Sequence, residues 1–235
     1  MITETMTFKE VYREIEADHD NLERWWGHRQ REVERMARKQ TRFPWCKWHE
    51  YMSPRRNRYL ILTESPTRHY MKHGIMGVIA LRRVQNGIEV FYTGIRRDSV
   101  VTPMVVLPHA FRRYAERTGQ QLTGLDCIKT FCQRNSTGTG TWNNKAVGRS
   151  VRYNGKEHLS MCIKEGVMLG QAEDGIYVMR TFITYEMATG RQQEEFNDRH
   201  SRILTTQETE QLIRLRRWEM EQEIKRITPD FLPSS

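Results

Sequence analysis

The 235 residues suffice for one large domain, or for a medium domain with helical additions, whose core needs no metal or disulfide to hold it. Only 37% of the residues are apolar and 29% are charged, so much helical surface must face solvent. The formal charge of +9 favours a polyanionic partner, foremost nucleic acid; no apolar run approaches the ~18 residues of a membrane span and the start has no apolar leader, so the expectation is a cytoplasmic protein with no membrane partner.

The charge is uneven. Residues 1–23 carry two Lys/Arg against seven Asp/Glu, residues 24–60 eleven against three, and residues 61–135 eleven against five. The positive field therefore belongs to Arg24–Arg134. At the N-terminus, Thr7-Phe8-Lys9-Glu10 has the form of a capping box. Phe8, Val11, Tyr12, Ile15, Leu22, Trp25, Trp26, Val33 and Met36 recur at helical spacing and predict a long helix over about 8–39, with Gly27 as its candidate break. Acid at its beginning and RMARKQ at its end suit the helix dipole, so part of the charge switch is helix design.

Residues 41–58 (TRFPWCKWHEYMSPRRNR) read as an irregular connection. Trp45 and Trp48 with Arg55 and Arg56 can stack on bases and hold phosphates, or can anchor the loop on the core. YLILT comes next as a strand. GIMGVIALRRV and IEVFYTGI then form a hairpin at Asn86-Gly87. VVTPMVV is a short strand that Pro103 places near a sheet edge.

PHAFRRYAER (108–117) predicts a short helix and LTGLDCIKTFCQRN (122–135) a second. STGTGTWNNK (136–145) is a loop by composition. SVRY and KEHLSMCI form a hairpin at Asn154-Gly155, and a three-stranded meander ends in IYVMRTFITY near Tyr185. Strict alternation along that last strand puts Val178, Arg180, Phe182 and Thr184 on one face and Met179 and Thr181 on the other. Thr205-Thr206-Gln207-Glu208 caps a final helix to about Ile227, whose single apolar stripe suits packing on the core or on a partner chain.

The fold class expected is α+β: an antiparallel sheet of hairpins and a meander packed by short helices, with long N- and C-terminal helices. The division expected is 1–57 (helix and Trp/Arg-rich connection), 58–190 (core domain) and 191–235 (helical extension). Cys46, Cys127, Cys132 and Cys162 form no C-x-x-C pair. Cys46 and His49 supply at most half a metal site, and no nucleotide-binding glycine motif is present, so no metal and no cofactor are expected.

On a helical wheel, Ala110, Phe111, Tyr114 and Ala115 of PHAFRRYAER share one side, and His109, Arg112, Arg113, Glu116 and Arg117 share the other. Pro108 suits the first turn. The basic side is either a solvated face, with Glu116 paired to Arg112 or Arg113, or a phosphate site. For the second, an imidazole moves protons near neutral pH and guanidinium forks grip phosphate oxygens.

The order of a His/Arg-bearing helix, a second short helix and a meander ending in RTFIT resembles metal-independent ribonucleases of the barnase, RelE-type, BrnT-type and colicin-like toxin group. It is similar also to uncharacterised proteins of bacterial mobile elements. The resemblance spans about residues 100–187. It implies helices packed on an antiparallel sheet and cleavage of RNA, with His109 as acid/base, Arg113 and Arg117 as phosphate clamps, and Thr181 or Thr184 placing a hydroxyl on the phosphate. Arg112 and Arg180 would add nucleic-acid contacts, and His158 is a further candidate. It also implies an inhibitor or antitoxin partner. The alternatives are a nucleic-acid-binding protein without catalysis, and an assembly protein that self-associates through its terminal helices.

Overall fold

The computed structural model describes residues 1–43, 45–65, 75–95, 103–135, 151–153 and 156–190, together with 193, 194, 196 and 200. The loop expected at 136–145, the Asn154-Gly155 turn and the C-terminal helix from Thr205 lie outside the described residues.

Helix α1 (Phe8–Glu16) starts at the expected capping box: Thr7 N donates to Glu10 Oε2 at 2.7 Å, and Glu10 N donates to Thr7 Oγ1 at 3.3 Å. The helical run then breaks at Ala17-Asp18, not at Gly27, and α2 (His19–Arg38) passes through Gly27 without interruption. Asp18 causes the break. Its carboxylate is fully buried and accepts from Ser53 Oγ (2.7 Å), Asn57 Nδ2 (2.6 Å) and Tyr59 Oη (2.9 Å). Turning that group inward pins the interhelix junction onto the turn between the first two strands.

Within the segment expected as an irregular connection, residues 45–52 form a regular strand, β1 (Trp45–Met52), paired antiparallel along its length with β2 (Arg58–Ser65), while 41–43 and 53–57 are irregular. Its register is set by packing: one face carries Trp48 toward the core, the other Trp45, His49 and Tyr51 toward α2. β1 is thereby joined to the strands after residue 57 in one sheet. β3 (Ile75–Val84) and β4 (Gly87–Thr93) form the hairpin that Asn86-Gly87 predicts; Gly87 has φ 136°, and a Cβ there would sit 3.0 Å from Pro108 Cβ. The hairpin turn thus abuts the start of the next helix.

β5 (Met104–Val106) lies inside the sheet and not at its edge. Pro103 stands one residue before the strand, so its missing N–H costs no ladder bond, and its carbonyl accepts from Tyr177 N at 2.9 Å. After α3 (Pro108–Arg117) and α4 (Gly124–Asn135) come β6 (Val151–Tyr153), β7 (Lys156–Ile163), β8 (Gly166–Glu173), β9 (Ile176–Ile183) and a 3₁₀ turn (Tyr185–Met187).

Among the described residues one nine-stranded sheet results, in the order β1-β2-β3-β4-β5-β9-β8-β7-β6. Every pairing is antiparallel except β5 with β9. Helices cover both faces. Val11, Ile15 and Leu22 of α1 and α2 pack on Tyr59, Ile61, Phe91 and Val178, whereas Phe111, Tyr114, Ile128 and Phe131 of α3 and α4 pack on Leu60, Val90, Met179 and Phe182. Burial of such side chains stabilises by about 1.5–3 kcal/mol each. The expected α+β class holds, in three layers. None of the four cysteines is in a disulfide; Cys132 is buried, and desolvation pushes its thiol up to about 12.

Candidate nucleic-acid face on helix α3

The wheel read from PHAFRRYAER is the wheel the helix adopts. Pro108 occupies the first turn after an extended Leu107, and Ala110, Phe111, Tyr114 and Ala115 are buried. Phe131 meets the rings of Phe111 (5.4 Å) and Tyr114 (5.0 Å) edge-on, and Phe182 of β9 meets Tyr114 at 5.2 Å. These contacts fix which side of α3 faces outward.

On that outward side, Arg113 Nε lies 3.4 Å from His109 Nε2, and Arg113 Nη1 lies 2.8 Å from Glu116 Oε2. Glu116 therefore pairs with Arg113, three residues back, in an exposed contact worth a few tenths of a kcal/mol. Arg112 and His109 are exposed. Arg117 behaves differently: its Nη1 donates to the Phe182 carbonyl, so it fastens the last turn of α3 to the end of β9.

The threonines do not join this group. β9 carries a β-bulge: Leu169 pairs with Thr181 while the next residue, Gly170, pairs with Met179, leaving Arg180 as the extra residue. The bulge shifts the alternation by one. Phe182 falls with Met168 and Met179 on the α3 side, not with Val178 as strict alternation requires. Thr181, opposite Leu169, faces the other side of the sheet, in line with Ile183 and Val167. Thr184 lies past the strand as cap of the 3₁₀ turn, and its hydrogen bond holds the exposed Glu186 carboxyl below the usual range. Arg180 is paired with Glu173.

The Trp/Arg-rich segment is anchored. Trp45 packs on the Val33–Ala37 cluster and Trp48 on the core under α4. Arg55 grips Glu14 with two bonds of 3.0 and 2.7 Å, and Arg56 is exposed in a left-handed turn, φ 62°. Cys46 and His49, three apart on a strand, point to opposite faces; His49 Nε2 meets Thr63 Oγ1 at 3.0 Å and the Trp25 ring at 5.8 Å. Burial, then Lys47 and Arg29, lower the His49 pKa. Among the described residues no group of His, Cys, Asp and Glu has the arrangement of a metal site. The His158 side chain lies outside them.

One polar cluster has no signal in the sequence. Tyr114 Oη donates to Glu165 Oε2 at 2.5 Å, and Arg134 (3.1 Å) and Asn135 (3.2 Å) reach the same carboxylate from α4. Burial, with this bond, raises the Tyr114 pKa. The cluster locks the far end of α3 to the β7–β8 turn, and at the other end the His109 side chain is exposed beside the β3–β4 turn that abuts Pro108. There a phosphate would meet an imidazole, a guanidinium and the positive end of the helix dipole together.

Among the described residues no helix is long and apolar enough to cross a membrane. No family model, no curated protein and no solved structure matches the chain.

Proposed function

We propose that the protein binds nucleic acid, RNA first, through the sugar-phosphate backbone, with His109, Arg112 and Arg113 on the open face of α3 as contacts. The observation that supports this reading is the His109–Arg113 pair at 3.4 Å, exposed and one helical turn apart on a rigidly packed helix. The net charge of +9 favours the same class of partner. The test is fluorescence anisotropy with a single-stranded RNA across a salt series. Arg113→Ala combined with Arg112→Ala is expected to weaken binding about tenfold and to lower the salt slope by about 0.7 per lost phosphate contact. A flat salt dependence, or affinity unchanged in the double variant, removes the reading.

Metal-independent RNA cleavage, of toxin or effector type, is the second reading. It is favoured by Glu116: Arg113 stands between an imidazole and a carboxylate, the two acid/base groups that attack by a 2′-OH and departure of the 5′-oxygen require. Against it stand the position of Thr181 and Thr184 away from this face and the openness of the face to water. Incubation with RNA in EDTA separates the readings. Cleavage lost in both His109→Ala and Glu116→Gln supports the enzyme, and intact RNA with retained binding supports the binder. The enzyme reading also implies an inhibitor protein as partner.

A further inference from the structure

Helix α2 carries a second basic surface on the side of the sheet away from α3. Arg24, His28, Arg31 and Arg35 succeed one another at steps of four, three and four, all exposed, and Arg38 and Lys39 continue the line. The opposite side of the helix, with Leu22, Val33 and Ala37, is buried. Arg24 bonds the Asp20 carbonyl and the Asn21 amide, and Arg35 the Arg31 carbonyl, so these bonds leave their charges unneutralised. Beyond Arg24 the carboxylates sit to the sides, Glu32 on Arg29 at 2.6 Å and Glu34 on Gln30 at 3.0 Å, while Asp20 and Glu23 stand at the N-terminal end of the line.

Gly27 supplies an independent observation. It lies in the middle of this line, inside a helix, and an added Cβ would meet nothing within 4 Å. An interior helix glycine costs about 1 kcal/mol relative to alanine, and here no packing accounts for it. A gap of this kind between cations lets another backbone come close to the helix.

We infer that the α2 stripe is a docking surface for the phosphate backbone of a nucleic-acid duplex, separate from the α3 face. A duplex fits better than a single strand because the stripe is straight and offers nothing to stack on. Trp25 is engaged with Tyr51 and His49, and Trp26 packs on the Val33–Ala37 cluster. From Arg24 to Arg35 the line runs about 16 Å, alongside a duplex with one charge per ~1.7 Å. An anionic lipid surface fits less well, since the apolar side of α2 is spent in the core and cannot insert. Contact is to phosphates alone and is sequence-independent. The α2 and α3 surfaces share only the premise that the partner is nucleic acid.

The experiment measures binding of the full chain to a 20-base-pair duplex across a salt series, and to vesicles containing phosphatidylserine. Arg24→Gln, Arg31→Gln and Arg35→Gln combined are expected to weaken duplex binding at least about tenfold and to lower the salt slope by about 2–3. Gly27→Leu, which leaves the net charge unchanged, is expected to weaken it as well. Duplex affinity unchanged in either variant, or vesicle binding that depends on the arginines while duplex binding does not, overturns the proposal. Duplex binding lost in the α2 variants but kept in Arg112→Ala/Arg113→Ala upholds this surface while the α3 reading falls; the reverse pattern overturns this one and upholds α3.

Discussion

Arg117 donates to the backbone carbonyl of Phe182, which ties the last turn of α3 to the end of β9. An arginine held this way works for the fold, although its place on the helix wheel groups it with His109 and Arg113. Arg117→Ala is expected to cost about 1–2 kcal/mol in urea unfolding, as loss of a charge-assisted, partly buried hydrogen bond does, and to leave RNA affinity within about twofold. Arg113→Ala should show the opposite split, with weaker RNA binding and stability within about 0.5 kcal/mol. A variant of Arg117 that loses RNA affinity at full stability would return it to the phosphate contacts.

Asp18 is the centre of the N-terminal packing. Removing its carboxylate strands three buried donors, from Ser53, Asn57 and Tyr59, at the point where two helices meet the β1–β2 turn. Asp18→Ala is therefore expected to destabilise by about 3–5 kcal/mol, read as a lower urea midpoint. Asp18→Asn keeps one acceptor oxygen and should cost less.

Glu14 sets an acid limit. The Arg55 fork, then the N-terminal amine, hold its carboxyl at about 2, below the ordinary 4.5. A group whose folded pKa is lower than its unfolded one stabilises above the unfolded value and stops doing so as pH falls through the folded one. Wild type is thus expected to exceed Glu14→Gln by about 1–2 kcal/mol at pH 6, after allowance for solvent screening, with the gap closing between pH 4.5 and 2. Parallel pH profiles for the two proteins would show that the ion pair contributes nothing.

Gly170 makes the bulge possible. An added Cβ would fall against the Val178 carbonyl and 2.9 Å from Met179 Cα, so the two strands can approach here only without a side chain. Gly170→Ala is expected to cost about 2–4 kcal/mol, with the largest loss of amide-exchange protection in β8 and β9. Protection lost evenly over the sheet would show that the bulge is no local hinge of stability.

Local signals carry far in this chain. The capping box, the Asn86-Gly87 turn and the apolar side of PHAFRRYAER each depend on neighbours within four residues, and each appears where the residues place it. The failures share a different cause. Asp18 ends a helix because of hydrogen bonds to residues some forty positions away, which no periodicity contains. WCKWHEYM reads as part of a loop from its Trp-rich content and its Arg- and Pro-rich flanks, yet its aromatic side chains are half-buried against α2 on one face and the α4 core on the other, and tertiary packing overrides composition. Thr181 and Thr184 are inseparable by alternation because a single extra residue, Arg180, flips the phase of the strand, and only pairing with β8 reveals it. The α2 stripe is visible as a charge excess, but its exposure depends on which side Leu22 and Val33 bury.

The parallel contact of β5 with β9 divides the sheet into two antiparallel halves joined through three residues on each side, Met104–Val106 and Tyr177–Met179. Some seventy residues separate these partners, so the join closes late when the chain is made from its N-terminus. Until β9 is synthesised, β5, paired with β4 on one side, presents an open edge on the other, and the N-terminal half lacks the cover of Met179 and Phe182 over Tyr114. During translation the protein thus passes through a stage with an open, apolar seam, the stage at which chaperone capture or intermolecular strand pairing competes with folding.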